Sequence, residues 1–239
     1  MKIALFVEMA PGMRAGECRE AYPEGMQNCL KAMLEAAGHR VTLVEQDENG
    51  DGAAMAAAVG DADVAYWWGH GLHQKVSDAA ADAVVRAVWR GMGLVCLHSS
   101  HLSKPFLRLI GTDGTLCWRE AGENERLWVV DPAHPIAAGL PPTVEIEREE
   151  MYGEPFGIPQ PDELVFLGWY KGGEVFRSGC VFRRGRGKVF YFQPGHETYP
   201  NYKLPDVRRI LLNAAEYLRC PAKAAADAEC PCVPPKETL

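Results

Sequence analysis

The chain has 239 residues, 47% of them hydrophobic and 24% charged, and its 25 Lys and Arg against 32 Asp and Glu give a formal net charge of −7. That is the make-up of an ordinary soluble globular protein with one large domain or two small ones. It argues against nucleic acid as a partner, since the one basic cluster, Arg183-Arg184-Gly185-Arg186-Gly187-Lys188, reads as a turn, and no run of 18 apolar residues exists to cross a membrane.

In chain order, residues 3–7 form a continuous apolar run, as a strand covered on both faces requires. The apolar stretch is too short for a signal peptide and meets Glu8 too soon, so a cytoplasmic location is expected. Residues 25–37 carry Met26, Cys29, Leu30, Met33 and Leu34 at helical spacing and stop at Gly38. A second strand over 41–44, a loop over 47–52 and a short Ala-rich helix over 53–59 follow. Residues 64–68 read as a third strand. Ser77 can cap a helix running through Val84, Val85, Val88 and Trp89 to Gly91, and 94–97 is a fourth strand. This βαβα order implies a mostly parallel sheet with right-handed crossovers.

The second half changes character. Residues 125–130, 143–146, 164–170, 174–182 and 187–192 read as strands, with hairpin signals at Lys171-Gly172-Gly173 and over 183–187. A last helix over 205–218 repeats Val207, Ile210, Leu211, Ala214 and Leu218. One domain is expected over 1–219, its later antiparallel strands extending the same sheet, with a flexible Cys/Pro/Ala-rich tail over 220–239. Of the eight cysteines, Cys96 and Cys180 lie in apolar runs, and with no export signal a disulfide framework is not expected. The tail cysteines Cys220, Cys230 and Cys232 match no zinc-binding spacing.

Six of the seven histidines lie outside any helical pattern, and three end apolar runs: Tyr66-Trp67-Trp68-Gly69-His70, Leu94-Val95-Cys96-Leu97-His98, and Val189-Phe190-Tyr191-Phe192-Gln193-Pro194-Gly195-His196-Glu197. Parallel strands of an open α/β sheet share one carboxyl edge, where ligands bind, so His70, His98 and His196 are expected to converge as metal ligands or catalytic groups. His73 pairs with His70 only if a helix begins there. His98 occupies a strand–helix junction of the kind that holds the nucleophile in α/β hydrolases, and His101 lies one turn further. Cys96, two residues earlier and mid-strand, is expected to be buried and dull. In Glu145-Ile146-Glu147-Arg148-Glu149-Glu150-Met151-Tyr152-Gly153-Glu154 a solvated charged face is the bland alternative. The run leads into Pro155-Phe156, however, which suggests a packed loop offering Glu150, Tyr152 and Glu154 to a site. Glu197 can orient a neighbouring imidazole. Arg177, a charge in an apolar strand, either pairs with a buried acid or reaches a ligand. Trp67, Trp68, Trp118 and Trp169 belong in a core or stack on sugar rings.

From about Lys2 to Leu218 the chain resembles the ThuA-like (trehalose utilisation) family. The resemblance rests on Trp67-Trp68-Gly69-His70, Gly91-Met92-Gly93-Leu94-Val95-Cys96-Leu97-His98-Ser99, Trp118-Arg119-Glu120, Glu149-Glu150-Met151-Tyr152-Gly153-Glu154, Glu174-Val175-Phe176-Arg177-Ser178-Gly179 and Pro194-Gly195-His196-Glu197. It implies a flavodoxin-like fold similar to class I glutamine amidotransferases, with His98 where those enzymes carry their cysteine, which argues against glutaminase chemistry. It also implies disaccharide or keto-sugar catabolism. The combined expectation is a divalent metal, zinc foremost, on His70, His98 and His196. His98, Glu150, Tyr152 and Glu197 would be catalytic, and Trp68, Arg177, Glu154 and His101 would contact a small sugar. A metal-free acid–base isomerase or hydrolase and a non-enzymatic sugar-binding subunit remain alternatives. A homo-oligomer is expected, with Trp118 and Trp128 either sealing its interface or lying in the core.

Overall fold

A computed structural model describes residues 1–227 and 229–237; the expected tail falls partly on residues 228, 238 and 239, which lie outside the described residues. The chain runs β1 (Lys2–Glu8), α1 (Gly16–Ala21), α2 (Met26–Ala36), β2 (Arg40–Gln46), α3 (Ala53–Val59), β3 (Val64–Trp68), α4 (Asp78–Arg90), β4 (Gly93–Leu97) and α5 (Lys104–Ile110). It continues through β5 (Cys117–Val129), β6 (Thr143–Gly153), β7 (Glu163–Tyr170), β8 (Val175–Arg184) and β9 (Gly187–Phe192) to α6 (Pro205–Leu218). All nine strands form one sheet in the order β2-β1-β3-β4-β9-β8-β7-β5-β6. Pairings from β2 to β9 are parallel and those from β9 to β6 antiparallel, so the later strands do extend the first sheet.

Alternation along the central strands builds two cores. Ile3, Leu5, Val7, Tyr66, Trp68, Val95 and Leu97 face α2 and α6, whereas Ala4, Phe6, Trp67, Leu94 and Cys96 face α3, α4 and α5. Both faces are covered, which is why these strands read as unbroken apolar runs. Ser77 caps α4 through the Ala80 N–H, and Gly91 ends it in the left-handed region, as the sequence indicates.

Three elements exceed the sequence reading. Helix α5, capped by Ser103 and closed by Gly111, was not anticipated, nor was α1. Strand β6 runs to Gly153, so the acidic segment expected as a loop is a strand. After α6, Lys223 donates to the Ala62 carbonyl and pairs with Asp63 at 3.2 Å, and the Ala224 N–H donates to Arg90. None of the described helices is long and apolar enough to cross a membrane.

Candidate metal centre at the carboxyl edge of the sheet

Strand β4 delivers His98 onto the edge in a left-handed conformation (φ +52°), the only non-glycine residue with positive φ among the described residues. That geometry costs about 1–3 kcal/mol and persists only where surroundings enforce it. The Tyr191 hydroxyl fixes the His98 carbonyl at 3.0 Å, and His98 Nδ1 lies 2.9 Å from the Gln193 carbonyl. A carbonyl only accepts, so Nδ1 carries a proton, and Nε2, fully buried, is left facing Glu150.

His98 Nε2 lies 3.0 Å from Glu150 Oε2. The contact lacks hydrogen-bond alignment, and both atoms are buried with no other partner. His98, Glu150 and His196 present ligand atoms within 4.8 Å of one another, and so do His70, His98 and Glu197. The three imidazoles converge, with ring centroids 5.3–6.5 Å apart, but among the described residues neither ligand cluster holds all three: His70 falls in the set with Glu197 and His196 in the set with Glu150. Burial alone would lower the His98 pKa, but the Glu150 carboxylate and the charges of Glu149 and Glu197 raise it to about 9. Burial and the His98 charge push His196 down to about 4. Burial raises the Glu150 carboxyl, but His98 outweighs this and holds it below its usual range. The charge of His98 is thus set among the carboxylates of Glu149, Glu150 and Glu197.

Buried carboxylates position these groups. Glu8, at the end of β1, accepts the N–H groups of His70, Gly71 and Leu72, which fixes the loop after β3. Glu149 accepts from the N–H groups of Glu150, Gly195 and His196 and from the Asn201 side chain. Neighbouring Glu149 and Glu150 both reach the interior because the β5–β6 register slips. Glu123 opposes Glu149 while Glu125 opposes Ile146, which leaves an extra residue on β6. A second slip, between Arg119 and Glu123, throws Glu120 towards His196, with 3.4 Å between its carboxylate and Nε2. Tyr199 donates its hydroxyl to the same carboxylate.

Around the histidines lies a cavity of about 500 Å³, lined by His70, Ser99, His101, Glu120, Glu150, Tyr152 and His196, together with Leu102, Leu116 and Trp118. The Tyr152 ring stacks on His98, and its hydroxyl is 3.0 Å from Ser99 Oγ, itself 2.9 Å from His70 Nδ1. His101 donates Nδ1–H to the Gly114 carbonyl, and burial holds its pKa near 4, so it is neutral. Glu197 lies 3.8 Å from His70 and 3.7 Å from His196.

Some expected site residues are placed elsewhere. Trp68, expected against substrate, is fully buried, and its indole N–H holds the Gly195 carbonyl at 3.1 Å, so it acts beneath the site. Arg177 and Glu154, also expected there, pair with each other at 2.7 and 3.0 Å outside the cavity wall, and Arg177 further binds the Phe156 carbonyl. Of the two outcomes open for Arg177, pairing with an acid is the one observed. His73 is buried and joins neither ligand cluster. Glu8, Glu120, Glu149, Gln193 and Asn201 went unassigned from sequence. Gly122, with φ +58° inside the β5 slip, was the one local hint of the distortion that brings Glu120 in.

No curated protein matches the chain. Among solved structures it resembles a ThuA-like protein from Parabacteroides merdae, with TM-score 0.67 and 15% identity over 90% of this chain and 89% of that one. A ThuA-like protein from Bacteroides uniformis gives 0.64 and 16% over 90% of each. PurLQS from Thermotoga maritima gives 0.55 and 16% over 92% and 100%. At these identities the likenesses establish the α/β fold. The family described as "ThuA: Trehalose utilisation" matches residues 14–218. That match spans most of the sequence and includes every residue of both ligand clusters, so the chain belongs to the ThuA family.

Proposed function

We propose that this chain is a metal-dependent sugar-processing enzyme, a hydrolase or isomerase acting on a disaccharide or keto-sugar. The carrying observation is the facing pair His98 Nε2 and Glu150 Oε2, buried and otherwise unpartnered, with His196 beside them. Burying an ion pair whose two facing atoms have no partner beyond each other is costly, and a shared cation would offset that cost. Two imidazoles and a carboxylate, with a cavity left open beside them, suit zinc. His98, His196 and Glu150 would hold the ion, and His70 with Glu197 forms the adjoining set.

Bound there, a divalent ion polarises a sugar carbonyl or lowers the pKa of water. The chain's own groups do the rest. Gln193 keeps the His98 proton on Nδ1, whereas His196 Nδ1 accepts the Thr198 N–H at 3.3 Å and lies 2.8 Å from Thr198 Oγ1, which seats that ring. Neutral His101, its Nδ1–H spent on Gly114, offers Nε2 as an acceptor for a sugar hydroxyl. Tyr152 and Ser99 offer hydroxyls on the same wall. Glu120 and Glu197, beside His196, can take a proton from bound substrate. Cysteine chemistry has no support, since Cys96 is fully buried in the opposite core and burial drives its thiol pKa far up.

The test is metal analysis of protein purified without chelator. About one equivalent of divalent metal per chain is expected in wild type and Cys96→Ser, with loss in His98→Ala. Wild type without metal, or His98→Ala with an unchanged content, contradicts the reading.

A further inference from the structure

The lining of the cavity over the histidines mixes imidazoles, carboxylates and hydroxyls with three large apolar side chains, Leu102, Leu116 and Trp118. Trp118 is 66% exposed, the highest value among the exposed large hydrophobic side chains of the described residues. Its position is built. Trp118 pairs with Tyr152 across β5 and β6, so both side chains rise on the same face, and Glu120 is the next residue of β5 on that side. Arg119, between them, points away and is held by Glu123 and by both oxygens of Glu174. The segment leading to Leu116 approaches His101 through Gly114, where φ is +71° and a Cβ would lie 2.5 Å from the His101 carbonyl. The apolar side chains are thus fixed next to the polar ones.

We infer that the site takes an amphipathic glycoside, a sugar linked to an aryl or alkyl aglycone. The sugar hydroxyls meet the imidazoles and carboxylates, and the aglycone lies on Trp118 with Leu102 and Leu116. This rests on the sugar-processing reading above. A cavity of about 500 Å³ holds a two-part ligand of drug-like size. An aglycone narrows that reading by a preference: Leu102 and Leu116 offer no hydrogen bonds, so an aromatic or alkyl group gains more from contact with them than the hydroxyls of a second sugar would. An indole face adds offset stacking with an aryl ring.

Calorimetric titration of metal-loaded protein with 4-nitrophenyl and methyl glucosides, both anomers, tests this. The wild type is expected to bind the aryl glucoside about tenfold more tightly than the methyl glucoside. Trp118→Ala should bind both alike, and Leu102→Ser should lose part of the preference, with metal content and sedimentation unchanged. Equal affinities in wild type, or an undiminished preference in Trp118→Ala, overturn the aglycone subsite and leave the sugar reading standing. Failure of metal-loaded wild type to bind either glucoside overturns both. A change of oligomeric state in Trp118→Ala overturns the subsite by assigning the indole to a contact between copies of this chain.

Discussion

His98 carries a backbone cost that only its side chain repays. Its left-handed φ favours glycine, so two variants that both lose the imidazole should differ in stability. His98→Gly is expected to be more stable than His98→Ala by about 1 kcal/mol in urea denaturation, because only alanine keeps the strain. Equal stabilities would mean that the elbow relaxes once the ring is gone. Glu149 makes a second prediction. Its two oxygens accept four hydrogen bonds that seat Glu150 and His196, and the amide of Glu149→Gln would turn a donor onto N–H groups. The variant should lose about 1–3 kcal/mol of stability. Its zinc affinity should fall about 10- to 100-fold as the ligands it seats drift. A competitive chelator titration that returns wild-type affinity would remove its positioning role.

The antiparallel strands hold a further buried acid. Glu125 on β5 accepts from Ser178 on β8 at 2.9 Å, beside Gly168 of β7, where a Cβ would collide with both side chains. Burial and the charge of Glu149 raise its pKa to about 8. An acid whose folded pKa lies above its unfolded value stabilises fully below the unfolded pKa, and that contribution is lost as pH rises through the folded one. The contribution of Glu125 should therefore fall from about pH 4.5 to pH 8, and the stability of Glu125→Gln relative to wild type should rise across that range. Thermal melts across that range check it, and parallel slopes in the two proteins would reject that contribution. Elements of this half were also where sequence reading stopped short. Strand ends at His70, His98 and His196 were legible because buried parallel strands are unbroken apolar runs and their ends share an edge. The antiparallel runs and α6 were legible from their periods. The register slips of β5 and β6 were not, since pairing between strands far apart in sequence decides them, and with them went Glu120 and Glu149. Glu8 went unread for a similar reason, as its partners lie 62–64 residues away. Helix α5 escaped notice although Ser103 and Gly111 mark its ends, because it is only seven residues long.

Across the whole molecule, the parallel half delivers His70 and His98, the turn after β9 delivers His196, and the antiparallel half delivers Glu120, Glu150 and Trp118. A cation held at their meeting point, as we propose, would tie the halves together and, binding only the folded state, would stabilise the fold. Removing metal with a chelator should lower the melting temperature by several degrees, and zinc should restore it in wild type but not in His98→Ala. Indifference to chelator in metal-bearing protein would place the ion elsewhere. The homo-oligomer expected from the sequence was tied to Trp118 and Trp128; we propose that the exposed indole of Trp128, beside that of Trp169 and with Arg126 6.0 Å from each ring, forms its contact face. Sedimentation should report a dimer or larger that Trp128→Glu dissociates, and a monomeric wild type would contradict that proposal. The most direct measurement is anomalous diffraction from wild-type crystals at the zinc edge. The account predicts one strong peak among the side chains of His98, His196 and Glu150. Crystals grown with zinc that show no peak there, the three side chains holding one another as an ion-paired cluster, would contradict it.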